Sequence, residues 1–348
     1  MFINSINFFR GIAILIIVLG HSYWVAGFDW GNSDIDKTFV AIATGGTSLF
    51  VFVSGFMFHH VFYQRTFNYK KFLKNKWKNV GIPYLIMSSY AIYRAVFVKE
   101  SYLHLSKVGY NITNKLEGIL FYYGTGFHMI AYWYIPFAAF LFIASPIYLR
   151  FIKLDNKKQV AIIVIGYIIS GIIHRPEYNF NHIQSLIYFS PAYMLGIWSS
   201  INKDLIYEKL KNKEIYLLAI IIGLGYIQGV VLDHPEGYHK AFFEFKGIDI
   251  TIYQKIFIIY FFMVFLHRFE GRRFIVLDFM ARYSFAVFFI HGYILTALME
   301  YKKANNIEIH TGIIGLLVIT FAITMVSAII AHTIKKIIPN KSRMIIGA

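Results

Sequence analysis

Residues 8–27 read FFRGIAILIIVLGHSYWVAG. A membrane-spanning helix needs about 20 mostly apolar residues, because each adds about 1.5 Å to a span across about 30 Å of hydrocarbon. This stretch meets that length with Arg10 as its one formal charge. Nine further stretches read the same way: 40–62, 80–98, 131–149, 159–174, 184–201, 214–232, 251–266, 283–300 and 312–334. They predict an all-α, polytopic membrane protein of about ten transmembrane helices. No basic residue precedes Arg10 and no small-residue cleavage site follows the first apolar run. That run therefore reads as a retained span rather than a secretory signal.

The composition agrees. Of 348 residues, 57% are hydrophobic and only 15% are charged, against about 25% charged in an ordinary soluble domain. The longest segment outside the spans is 99–130, so residues 1–348 read as one integral-membrane domain with no separate soluble domain. Cysteine is absent, which excludes disulfides, thiolate metal sites and cysteine nucleophiles.

A net charge of +16 would suit a nucleic-acid binder, but its distribution argues otherwise. The segments 63–79, 150–158, 202–213, 267–282 and 335–348 hold 22 of the 34 Lys and Arg residues. The alternate segments 28–39, 99–130, 175–183, 233–250 and 301–311 hold nine. The positive-inside rule places the first set, and with it both termini, in the cytoplasm. The charge thus records orientation, and no nucleic-acid partner is expected.

Ionisable groups within spans are costly and therefore functional candidates. Arg10 and His21 are eleven residues apart, which at about 100° per residue is roughly 20° past three full turns. They share one face of the helix, about 16 Å apart along its axis. Arg10 alone reads as a snorkelling side chain or a ligand, and His21 alone as a structural histidine or a catalytic imidazole. The shared face makes the pair more informative than either member. His291 is a second buried imidazole. His128 and Trp133 lie in a Gly-broken stretch, 116–130 and just beyond, that reads as an interfacial or re-entrant helix lining a cavity. Ser54 and Gly55 read first as a close helix contact. A serine nucleophile would need a base within reach. Arg94 and Lys255, near outer span ends, read as snorkelling, and His174 and Arg175 read as interfacial. The basic stretch 63–79, with Lys74, Lys76 and Lys78, reads as a topology anchor or as a site for a polyanion. No P-loop, dinucleotide fingerprint, HExxH or GxSxG occurs, and no metal site is expected.

These stretches resemble the acyltransferase-3 family of integral membrane O-acyltransferases. SINFFRGIAILIIVLGHS at 5–22 resembles its first span, with arginine, glycine and a histidine eleven residues after the arginine. LFVFVSGFMF at 49–58 resembles its second-span motif, and YKKFLKNKWKNVGIPYL at 69–85 its basic loop entering a third span. HMIAYWYIPFAAFLFIASPIYL at 128–149, PAYMLGIW at 191–198 and RYSFAVFFIH at 282–291 extend the likeness along the chain. Lysines stand at 74, 76 and 78 where the family often has arginines, and a lysine meets phosphate as a point charge rather than a bidentate fork.

The resemblance implies transfer of an acyl group, commonly acetyl, from cytoplasmic acyl-CoA to a hydroxyl of a cell-surface carbohydrate or its lipid-linked precursor. It implies a multi-pass protein of the bacterial cytoplasmic membrane with acyl-CoA as co-substrate and no permanently bound cofactor. His21 is then the general base or an acyl-carrying nucleophile. Arg10 with Lys74, Lys76 and Lys78 would hold the donor, and Ser54, His128, Trp133 and His291 would support the site. Two other classes fit ten spans: a transporter or flippase of a lipid-linked saccharide, and a non-catalytic sensor or scaffold. Inverted repeats would favour the first, and partner motifs in long loops the second.

Overall fold

The computed structural model describes residues 3–348. The chain is 75% helical with almost no strand. Helix α1 (Asn4–Ala26) is the quoted stretch. It ends where Gly27 turns left-handed (φ 59°) and donates its N–H to the Trp24 carbonyl, the usual glycine stop. Next come α2 (Asp34–Tyr63), α3 (Tyr69–Val98) and a short outer helix α4 (Lys115–Thr125). Helices α5 (Tyr134–Ile143) and α6 (Ser145–Ile152) meet at 54°. Pro146 explains the bend, since it lacks an N–H and its ring crowds the preceding turn. Helices α7 (Asn156–Ile173), α8 (His182–Ile201), α9 (Glu214–Val231), α10 (Ile250–His267), α11 (Ile275–Ala304) and α12 (Ile313–Ile337) complete the bundle. The strands described are β1 (Arg175–Pro176) and β2 (His239–Lys240), paired in parallel.

Among the described residues, eight helices are long and apolar enough to cross a membrane, or nine if the bent pair α5–α6 is one span. The difference from ten is α8. Stretch 184–201 is a helix as expected, but Gln184, Ser185, Ser199 and Ser200 are buried within it. Such a helix sits inside the bundle, where its polar groups find protein partners. Ser200 Oγ is 2.9 Å from His59 Nδ1, and Gln184 Nε2 donates to the Lys240 carbonyl at 3.1 Å. Helices α2 and α8 approach closely because both carry glycine at the contact. A methyl group on Gly55 would strike the Tyr193 carbonyl, and one on Gly196 would strike the Phe52 carbonyl.

Helix α2 is interrupted at residues 44–46, dividing it into Asp34–Ala43 and Thr47–Met57 with a final π turn to Tyr63. The interruption leaves the last carbonyls of the first half without helical partners. Lys255 supplies them: its Nζ donates to Ala41 O at 3.3 Å and Ile42 O at 2.8 Å. Snorkelling is therefore wrong for Lys255, which is 2% exposed. His174 is likewise buried rather than interfacial, with its Nε2 donating to the Gly247 carbonyl at 2.8 Å.

The segments between helices gather at two ends, in the two sets that differ in charge. At one end Asn4 N–H donates to Glu270 Oε1 at 2.6 Å, Arg268 pairs with Glu214 at 2.6 Å, and Trp198 Nε1 donates to Asn156 at 2.7 Å. At the other end Lys37 pairs with Asp233 at 2.7 Å and His182 Nε2 donates to Gly124 O at 2.8 Å.

Candidate active site

Helices α1 and α11 run parallel, side by side, with a nearly constant offset. Asn7 Nδ2 donates to Asp278 Oδ1 at 2.8 Å. Arg10 Nη2 donates to Ala281 O at 3.2 Å and Ser284 Oγ at 3.1 Å. His21 Nδ1 lies 3.2 Å from His291 Nε2. The lack of a side chain at Gly11 allows this approach, since a Cβ there would lie 2.8 Å from the Leu277 carbonyl. Ser284 and His291 are seven residues apart, hence on one face of α11. The Arg10–His21 face therefore meets a matching Ser284–His291 face.

The hydrogen bonds fix the histidine tautomers. His291, fully buried, has Nδ1 at 2.9 Å from the Val287 carbonyl. That nitrogen must donate, because a carbonyl only accepts. In the neutral ring, His291 Nε2 is then the acceptor and His21 Nδ1 the donor. His21 Nε2 keeps its lone pair. The two rings stack at 5.4 Å with 15° between planes.

His21 lines a cleft of about 190 Å³. Its walls include Thr44, Gly45, Gly46 and Thr47 from the α2 interruption, Trp133, and Arg175, Glu236 and His239 from the outer segments. Arg175 is held over Trp133 at 5.2 Å and over Phe189 at 5.9 Å, and donates to Asn179 Oδ1 at 3.1 Å. Thr47–Met57 begins at this wall, where Ser48 N–H donates to the Gly45 carbonyl at 3.0 Å and the Leu49 and Phe50 N–H groups donate to the Gly46 carbonyl at 3.1 and 3.3 Å.

Arg10 lines a second cleft, of about 220 Å³, at the opposite end of α1. Asn7, Met57, His60 and Arg65 share it. An adjoining cleft of about 250 Å³ shares Val61 and Arg65 and adds Asn68, Lys71 and Asn75. Lys74, Lys76 and Lys78 line neither of these two clefts. They lie on α3, which begins inside the basic stretch at Tyr69. Lys74 and Lys78 are exposed. Lys76 Nζ sits 4.6–5.3 Å from the rings of Phe62, Phe72 and Phe142.

The other candidates disperse. Ser54 Oγ donates to Phe50 O at 2.9 Å and does not line the His21 cleft. His128 lies in the turn after α4, with Nδ1 donating to Tyr122 O at 3.1 Å. It lines a separate cavity of about 600 Å³ with Arg94, Lys99, His104, Tyr293 and Glu300. Burial pushes its imidazole down to about 4, so it is neutral. Arg94 pairs with Glu300 at 3.0 Å. The structure thus joins His21, His291 and Trp133, and leaves Arg10 at the far end of the same helix face. Glu236 and His239 escape sequence reasoning because they come from a loop with no motif. Arg175 escapes because a cation at a span end looks interfacial.

The family model for this acyltransferase domain matches residues 3–332, nearly the whole chain. The chain belongs to the acyltransferase-3 family. No curated protein and no solved structure matches it. Membership makes it an acyltransferase and a multi-pass membrane protein, and favours acyl transfer over the transport and scaffold readings. In an acyltransferase, a neutral imidazole with a free Nε2 beside a polar cleft is the arrangement that proton removal from an attacking alcohol requires.

Proposed function

We propose that this acyltransferase moves an acetyl group from cytoplasmic acetyl-CoA to a hydroxyl of a cell-surface carbohydrate or its lipid-linked precursor, within the bacterial cytoplasmic membrane. The observation that carries the reading is the His21–His291 contact, which leaves His21 Nε2 as a lone pair in the cleft. The acceptor oxygen attacks the thioester carbonyl carbon while His21 Nε2 takes its proton. The C–S bond then breaks, and the proton passes to the leaving thiolate, giving an O-acetyl ester and free coenzyme A. Charge growing on the carbonyl oxygen is met by the positive dipole end of Thr47–Met57, which starts at the cleft wall.

The donor enters at the Arg10 end, which by its loop charge is the cytoplasmic one. Arg10, Arg65 and Lys71 line the joined clefts there and suit phosphate groups. Lys74, Lys76 and Lys78, on the neighbouring α3, add a positive field that draws the anionic donor in. The roughly 16 Å from Arg10 to His21 along α1 suits an extended pantetheine arm.

The test is labelled acetyl-CoA supplied to membranes holding the wild-type protein or His21→Ala. Label should enter glycan or glycolipid with the wild type and fall to background in the variant. Equal labelling by both, at equal protein abundance, would sink the assignment.

A further inference from the structure

The cleft around His21 is lined by charged groups that proton transfer does not use. Arg175 and His239 are register partners in the β1–β2 pairing, and Glu236 lies within the turn that Gly237 N–H closes onto the His234 carbonyl. All three line the cleft with His21. Arg175 is pre-positioned: Trp133 and Phe189 lie under its guanidinium and Asn179 holds Nη2. Its Nε is buried without a hydrogen-bond partner among the described residues. A buried donor left unpaired is costly unless a ligand completes it. Glu236 and His239 belong to an exposed stretch of loop, so this is where the cleft opens.

We infer that this mouth, formed by Arg175, Glu236 and His239, is the acceptor subsite, and that it takes a neutral sugar ring through neighbouring hydroxyls, one on Arg175 and one on Glu236, leaving a third at His21 Nε2. Resting on the carbohydrate reading above, the inference adds the residues and the class of sugar. The argument is one of charge and donor balance. A donor held in place by its neighbours and a carboxylate acceptor in one cleft match hydroxyls, each of which both donates and accepts. A sugar carrying a carboxylate or phosphate is disfavoured by Glu236, which has no function towards an anion except repulsion. Such bonds to charged groups are the stronger kind. Trp133 acts here as a positioning residue, through the cation–π contact that keeps Arg175 in place.

The experiment uses the full-length enzyme in membranes, labelled acetyl-CoA, and the cell's own surface polysaccharide stripped of its esters with mild alkali. Arg175→Gln and Glu236→Gln should each raise KM for the stripped polysaccharide roughly ten-fold or more, as loss of a charge-assisted hydrogen bond does. KM for acetyl-CoA should stay as in the wild type. Glu236 is exposed, so Glu236→Gln keeps the test valid if Arg175→Gln fails to fold. Unchanged KM for the polysaccharide in Glu236→Gln overturns the subsite alone, as does an equal rise in both KM values. No labelling of polysaccharide by the wild type overturns the carbohydrate reading and the subsite together.

Discussion

His291 shows how much of a catalytic group lies in its neighbour. Its Nδ1–H is committed to the Val287 carbonyl, so its Nε2 can only accept, and His21 must present Nδ1–H to it. Replacing His291 by leucine removes that acceptor and frees His21 to adopt the wrong tautomer. Transfer should fall by roughly a hundred-fold, within the range for a misplaced general base. His291→Gln, whose amide oxygen can accept the same hydrogen bond, should retain more activity than the leucine variant. Initial rates of label transfer at saturating donor, normalised to protein abundance, distinguish the two. Equal loss in both variants would mean that His291 serves packing alone. Arg10 makes a different demand. If it holds the donor, Arg10→Ala should raise KM for acetyl-CoA and leave KM for the acceptor alone. The face shared by Arg10 and His21 was legible, because eleven residues fix an angle on any helix. Their partners Ser284 and His291 were not, because which helix lies alongside α1 depends on the whole bundle. His128 shows the converse: its sequence neighbour Trp133 reaches the His21 cleft, while His128 itself turns into another cavity.

At the scale of elements, the decisive feature is the interruption of α2, which the continuous apolar reading of 40–62 concealed. Hydropathy counts side chains, and an unwound turn of Thr44, Gly45 and Gly46 keeps an apolar average while breaking the backbone ladder. Its stabiliser, Lys255, is distant in sequence and looked like a surface cation. Lys255→Met should leave the Ala41 and Ile42 carbonyls unsatisfied, a loss of about 1–3 kcal/mol for such a buried group. The melting temperature in detergent should fall, and transfer should fall with it because Gly45, Gly46 and Thr47 line the cleft. A variant with wild-type melting and wild-type rate would show that the break holds without this cap. The Gly55–Gly196 contact between α2 and α8 offers a cleaner comparison, since the reading of Ser54 and Gly55 as a packing pair matches what the helices do. Gly55→Ala places a methyl group into the Tyr193 carbonyl and should reduce folded protein severely. Ser54→Ala, losing a bond to its own helix at Phe50 and the interaction with the Tyr134 hydroxyl, should reduce folded protein far less than Gly55→Ala and leave label transfer near wild type. Thermal scanning and membrane abundance read the first, and the transfer rate reads the second.

For the whole molecule, the charge of +16 acquires a direction. Loop contacts sort into two ends, and Arg10 with Arg65 and Lys71 lies at the Lys/Arg-rich end while His21 lies towards the other. A donor carrying phosphates and an acceptor entering at the opposite mouth would each meet their half of the site from their own side of the membrane. The orientation rule predicts that the basic end faces the cytoplasm, and that prediction is open to direct measurement because the chain contains no cysteine. Single cysteines can be introduced without a background. Asn305→Cys, in the outer set beyond α11, should react in intact cells with a maleimide that cannot cross the membrane. Asn212→Cys, in the basic set before α9, should react only after the membrane is opened. The reverse pattern would turn the molecule over, place Arg10 and Arg65 on the outside, and remove the cytoplasmic donor from reach of the clefts that suit its phosphates.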